Sequence, residues 1–482
     1  MNFTDSNLYQ LFSSLSHAEL KELDKAVRSP YFNYRTEEIR LYEFLLLTKK
    51  RKEEKILLNN AVKYVFEDGK GDAAKLRHVM TYLTRIINRC ISIGEMEGNE
   101  EQKLLLLARS MRKRGLSKLF VASYNEAEHY FYTEAVLSPE LYYHQFQLHT
   151  EYYIHSITNR RAQNEDLQRM SEDLDSFYIT QKLKHACNLL SYRNVFKLEY
   201  TDDVMQDVMP LVQKKQMLNN PLVNLLYHNY LCLTEPNNED YFIKLKDLLL
   251  NHSQRVDVKE LRDIFTLAIN YCIKRLNTGG QKYYQEVFEI YVAGLQRAVF
   301  EDRGQLSPYT YKNISAIAIG LKQYEWVATF LEDYKSKLDE EIRDGFYAYC
   351  KARYCFATAQ YERAMSLLQE VEIKEQFTDL DARVLLIKTY YELDEFGLLD
   401  YSLGNFKQQL KRKKLQTYHA TVYGNFAKNM SKVMHLRPYD KKAKALLKDT
   451  VTLTNAIAEK DWLLSKLKLS FDLSQPTLEN GF

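Results

Sequence analysis

Three segments decide the fold: LKQYEWVATFLEDY at 321–334, TAQYERAMSLLQEV at 358–371 and LDEFGLLDYSLGNF at 393–406. Each opens on a short turn ending in an aromatic residue and runs on as an apolar-periodic helix. The turn aromatics Tyr324, Tyr361 and Phe396 lie 37 and 35 residues apart. That period belongs to stacked helix–turn–helix units, since one such unit cannot bury its apolar face alone. The expectation is an all-α chain, with an α-solenoid of stacked antiparallel helical hairpins over at least 309–410.

The middle unit carries the pattern most clearly. Ala352 gives the first helix a small residue for a close crossing, Tyr361 fills the turn, and Ala364 lets the second helix approach. Leu368 and Val371 follow on the inner face. This small–aromatic–small order resembles the tetratricopeptide repeat. The flanking units are degenerate: Ser315 and Ile387 replace the small residue of the first helix, and Val327 and Leu399 that of the second. Gln376 stands where the closing proline of the motif would be. The whole layout also resembles an uncharacterised bacterial family of long helical-repeat proteins, which implies no activity.

In tetratricopeptide-like stacks the first helix of each unit lines a concave groove. Matching the units residue by residue puts Tyr309 and Lys312 there from the first unit. Tyr349, Arg353 and Phe356 come from the second, and Lys388 and Tyr391 from the third. One cation per unit, flanked by aromatics, would form a basic track for an acidic peptide or a C-terminal carboxylate. It is similar to the carboxylate-binding groove of some family members, although the asparagines of that groove have no clear counterpart. The resemblance implies a non-catalytic protein–protein interaction scaffold. Arg353 is its central anchor, because a guanidinium can hold a carboxylate through two hydrogen bonds. The plainer alternative is a solvated helix face with routine charges.

The bulk numbers bound the rest. A chain of 482 residues exceeds one hydrophobic core and implies several domains or an array. Only 15 Gly and 8 Pro argue for long helices and short connections. Pro139, Pro221 and Pro308 each follow Ser or Asn, the pattern of an N-cap with proline at the first helical position. Pro210 alone interrupts a helical run. The expected organisation is a helical region at 1–98, irregular hairpins at 99–300, repeats with C-terminal capping helices at 301–470, and a frayed tail at 471–482. Ser16 with Glu19 reads as a capping box, and Asp72 as the cap of a long amphipathic helix. Six scattered cysteines without a CxxC pair read as reduced thiols in a reducing compartment, hence a cytoplasmic protein. The start MNFTDSNLYQLF lacks the features of a signal peptide, and no apolar run is long enough for a bilayer.

No motif for catalysis stands out. A phosphate loop, GxSxG and HExxH are all missing from the sequence. Of His144, His149 and His155, neither the pair His144/His149 nor the pair His144/His155 is spaced to chelate one ion within a single helix. Asp202–Asp203 and Asp379/Asp381 read as helix-start carboxylates that complement the dipole. The expectation is therefore no enzyme, no cofactor and no metal. Net charge is +3, so no global field points to nucleic acid. The alternative function is a nucleic-acid-associated or regulatory protein that uses Arg77, Arg85 and Arg89 on the polar side of the helix after Asp72. The expected partner is a protein or peptide, with no membrane, and self-association is left open.

Overall fold

The computed structural model describes residues 3–51, 58–66, 71–158, 164–196, 204–214, 217–370, 372–412, 417–437 and 439–467. Val371, Asp202, Asp203 and the tail 471–482 lie outside the described residues. Among the described residues the chain is all-α, with 23 helices and one antiparallel ribbon pairing Glu301–Asp302 with Gln305–Leu306. None of these helices is long and apolar enough to cross a membrane.

The chain divides into two compact units, Met1–Val223 and Asn224–Phe482. The first holds α1 (Asn7–Ser14), α2 (His17–Arg28), α3 (Thr36–Arg51), α4 (Leu58–Val65), α5 (Ala73–Glu97), α6 (Glu100–Lys113), α7 (Ser117–Thr133), α8 (Pro139–Thr158), α9 (Asn164–Phe196) and α10 (Met205–Lys214). The capping box forms: Ser16 accepts from the Glu19 N–H while the Glu19 carboxylate accepts from the Ser16 N–H. Asp72 caps α5 by accepting from the Lys75 N–H. The apolar stripe of α5, including Leu76, Leu83 and Ile87, is buried, and α1 to α4 pack around it. Helices α6 to α8 share a second core built on Phe120, Phe131 and Leu141. Pro210 lies inside α10 rather than ending it.

Helix α11 (Pro221–Thr234) spans the unit boundary. The second unit continues with α12 (Glu239–Asn251), α13 (Val258–Asn277), α14 (Tyr283–Gln296), α15 (Pro308–Gly320), α16 (Tyr324–Asp333), α17 (Arg343–Ala357) and α18 (Tyr361–Glu370). It ends with α19 (Gln376–Glu392), α20 (Phe396–Arg412), α21 (Thr417–Met434), α22 (Lys441–Leu453) and α23 (Lys460–Lys466). The regions expected to meet at 98 and 300 pack on one another there, α5 on α6 and α14 on α15. Pro139 and Pro221 open their helices behind Ser138 and Asn220, whose side chains accept from the N–H of Leu141 and Leu222. Ser307, before Pro308, makes no such bond.

Helices α15, α17 and α19 pack in series, and each also packs on the helix that follows it. The six crossing positions Ser315, Val327, Ala352, Ala364, Ile387 and Leu399 are all buried. The three turns share one backbone geometry. Lys322, Ala359 and Asp394, each two residues before the turn aromatic, are left-handed with φ of 58°, 56° and 58°. The next N–H closes back on the carbonyl five residues earlier: Gln323 on Ala318 at 3.0 Å, Gln360 on Cys355 at 2.8 Å and Glu395 on Tyr390 at 2.9 Å. This is the Schellman closure, which usually falls to glycine because a Cβ is disfavoured at positive φ.

Candidate functional site

Helix α17 places Tyr349, Arg353 and Phe356 four and three residues apart, which aligns them on one helix face. Lys388 and Tyr391 stand one turn apart on α19, and Lys312 lies on α15. Because α17 packs against both α15 and α19, these side chains converge. Lys312 Nζ and Arg353 Cζ lie 5.8 and 5.9 Å from the centre of the Tyr349 ring. Lys388 Nζ sits 4.4 Å over Phe356. Tyr309 stays at the edge, its half-exposed ring meeting Phe346 at 5.9 Å.

The expected open basic track is not what forms. Tyr349 and Lys388 are each only 5% exposed. Both lysines are engaged by carboxylates of the chain itself. Lys312 Nζ donates to Asp381 Oδ2 at 3.0 Å, and Asp381 Oδ1 accepts from the Tyr423 hydroxyl at 2.7 Å. Lys388 Nζ donates to Glu459 Oε2 at 2.7 Å and lies 5.4 Å from the Trp462 ring. Trp462 Nε1 in turn donates to Glu392 at 2.7 Å, and its ring meets Tyr391 edge-on at 5.6 Å. The physical reason is that a buried ammonium must be paired, so the fold brings acids to it.

Arg353 differs from the two lysines. Among the described residues its guanidinium has no hydrogen bond and no ion pair, only the Tyr349 ring beside it. The residue as a whole is half-buried. Tyr349 foremost, then Glu459 and Asp381, raise its pKa above the ordinary arginine value against the opposing cost of burial. Burial lowers the Lys388 pKa, although Glu459 opposes it. Burial alone would raise Glu459, but Lys388 and Arg353 outweigh it and hold that carboxyl below its usual range.

Asp381 was expected only as a helix-start acid, and Glu459 and Tyr423 were not expected at all. A signal for the acids exists in the repeat phase. Lys312 and Asp381 are 69 residues apart, and Lys388 and Glu459 are 71 apart. Both separations are close to twice the 35-residue period between Tyr361 and Phe396.

The residues of the alternative function lie in the first unit. Arg77, Arg85 and Arg89 are all exposed on α5. Arg85 leans on Tyr82, and Arg89 leans on Tyr31 and Phe32. The three histidines of α8 take separate partners. His144 meets Glu101 at 2.8 Å, His149 meets Asp173 at 2.5 Å, and the His155 ring lies tilted against Phe120 with centroids 4.6 Å apart. No family model, no curated protein and no solved structure matches this chain.

Proposed function

We propose that the second unit is a non-catalytic binding scaffold, built as a solenoid of tetratricopeptide-like hairpins, that captures an acidic protein segment at Arg353. The observation that carries this reading is the contrast between Arg353 and its neighbours. Two cations on adjacent helices hold carboxylates at 3.0 and 2.7 Å, while the third keeps its donors free among the described residues. A ligand carboxylate at Arg353 would complete the set with a charge-assisted, two-pronged contact. The wall of Tyr349 and Phe356 beside it lowers the local dielectric and strengthens that contact.

The cysteines support a non-catalytic role. Burial pushes the Cys350 thiol up to about 11 and the Cys232 thiol up to about 12, opposite to the shift that activates a nucleophile. All six are free thiols, which suits a reducing compartment such as the cytoplasm.

The test compares wild type with Arg353→Glu. Proteins captured from the native cell by wild type are identified, and their acidic segments are synthesised and titrated against both forms. Arg353→Glu is expected to weaken binding at least about tenfold, in line with a lost hydrogen bond between charged groups. Its circular dichroism and melting temperature should match wild type. Equal affinity of both forms for those peptides would exclude Arg353 as the anchor.

A further inference from the structure

In the first unit, the segment between α2 and α3 folds back against α5. Buried Asn33 pins it: Nδ2 donates to the carbonyls of Val27 and Arg35 at 2.9 and 3.0 Å, and Oδ1 accepts from the Arg35 N–H at 3.0 Å. This clasp leaves Tyr31 and Tyr34 standing out at 75% and 85% exposed. Rings and guanidiniums then interleave. Arg35 Cζ lies 4.1 Å and Arg85 Cζ 5.4 Å from the Tyr82 ring, and Arg89 Cζ lies 4.8 Å from Tyr31 and 4.5 Å from Phe32. Between them is a cleft of about 190 Å³ lined by Tyr34, Arg35, Glu38, Tyr82, Arg85 and Arg89.

We propose that this cleft and its rim bind single-stranded nucleic acid, with bases on the aromatic rings and phosphates on the guanidinium edges. Stacking uses the faces of an arginine and leaves its N–H fork available. Arg85 and Arg89 make no ion pair or hydrogen bond through their side chains among the described residues. They are unspent cations in fixed places. The cleft is smaller than the roughly 300 Å³ at which drug-sized pockets begin, so it takes one planar ring and not a whole cofactor. Glu38 lies at its floor, with neither carboxylate oxygen hydrogen-bonded. An anionic floor repels a phosphate and leaves the cleft to an uncharged base, with phosphates on the rim.

Only a polymer that alternates flat rings with negative charges matches both features. A phosphopeptide or an anionic membrane supplies the charge without the series of rings, and a duplex keeps its rings stacked inside. Arg77 is about 12 Å along α5 from Arg85 and is not part of the cleft.

The experiment is fluorescence anisotropy with the full-length protein between 50 and 200 mM salt. The probes are a labelled single strand of about 12 nucleotides, within the 4–16 covered by known single-strand sites, and its duplex. The single strand should bind at least about tenfold tighter than the duplex, whose bases cannot reach the rings. Arg85→Ala with Arg89→Ala should flatten the log–log salt slope by about 1.4, each lost phosphate contact being about 0.7 on a single strand. Tyr34→Ala should weaken binding about tenfold with the slope unchanged. Melting curves confirm that the variants fold, and Arg89→Lys, which keeps the charge, should retain most of the slope. Absence of binding at 50 mM salt overturns the proposal. So does equal affinity for the duplex, or a Tyr34→Ala affinity equal to wild type. Phosphatidylglycerol vesicles that bind as tightly as the strand, and depend equally on Arg85 and Arg89, would assign the patch to membranes instead.

Discussion

The two units each carry a cluster of cations and aromatic rings, and they handle the charge in opposite ways. In the second unit Lys312 and Lys388 are matched by Asp381 and Glu459, acids that arrive from almost two repeat periods away. In the first unit Arg35, Arg85 and Arg89 lean on rings, while Glu38 at the floor has Arg35 only at 3.7 Å and no hydrogen bond. An ion pair quenches the field of both members, whereas a cation on a ring keeps its net charge. The residue types alone do not separate these cases. What separates them is whether an acid lies in register.

The largest expected effect comes from unpairing the second cluster. Glu459→Ala leaves Lys388 buried without a carboxylate. Glu459 is itself 39% exposed, so the loss falls between the 0–1 kcal/mol of an exposed pair and the 3–5 of a buried one, at about 2 kcal/mol. Urea unfolding measures it, and adding Lys388→Met should recover most of it, as apolar replacement of a buried pair does. An unchanged midpoint would mean that water already satisfies Lys388. The contribution depends on pH in a definite sense. The folded Glu459 pKa is lowered, so its stabilisation is present above the unfolded value of about 4.3 and is lost as pH falls through the folded value. Wild type and Glu459→Gln should therefore converge in acid.

A smaller effect of opposite sign is expected in the first cluster. Burial raises the Glu38 carboxyl above its usual range, with Arg35 only partly offsetting it. The folded state then holds its proton more tightly than the unfolded chain, and stability falls as pH rises from about 4.3 through the folded value. Glu38→Gln should stabilise the protein at pH 7, because it removes a buried charge that the fold disfavours. That gain should vanish in acid. A destabilised Glu38→Gln would show that the floor carboxylate holds Arg35 in place at a net benefit.

The smallest effect belongs to Arg353. Arg353 makes no hydrogen bond or ion pair among the described residues and adds only its field to the hold on Glu459, so Arg353→Ala should change unfolding by less than about 1 kcal/mol. A loss above 1 kcal/mol would make Arg353 a structural residue and would remove the contrast on which the proposed groove depends.

Most of the local architecture was legible in the sequence. Ser16 with Glu19 and Asp72 announced their caps, and the period of Tyr324, Tyr361 and Phe396 located six crossing positions that are all buried. These signals are local, set by spacings of a few residues. What stayed hidden depends on distant chain. Glu459 reaches Lys388 because the segment before α23 is tied to α21, through the Ala458 N–H on the Val422 carbonyl and Asn425 on the Ala456 carbonyl. Arg35 joins the arginines of α5 because Asn33 folds its turn back. The left-handed turns carry no glycine to mark them, since Lys322, Ala359 and Asp394 fill those places.

Those three turns make the region modular. Each delivers the chain from one helix to the next through the same backbone torsions and the same closing hydrogen bond. A chain cut at Ala359 and rejoined at Asp394 would meet matching geometry on both sides of the splice. A deletion between two such turns would keep the connecting backbone geometry, whereas a cut inside a helix would shift the phase of the crossing after it.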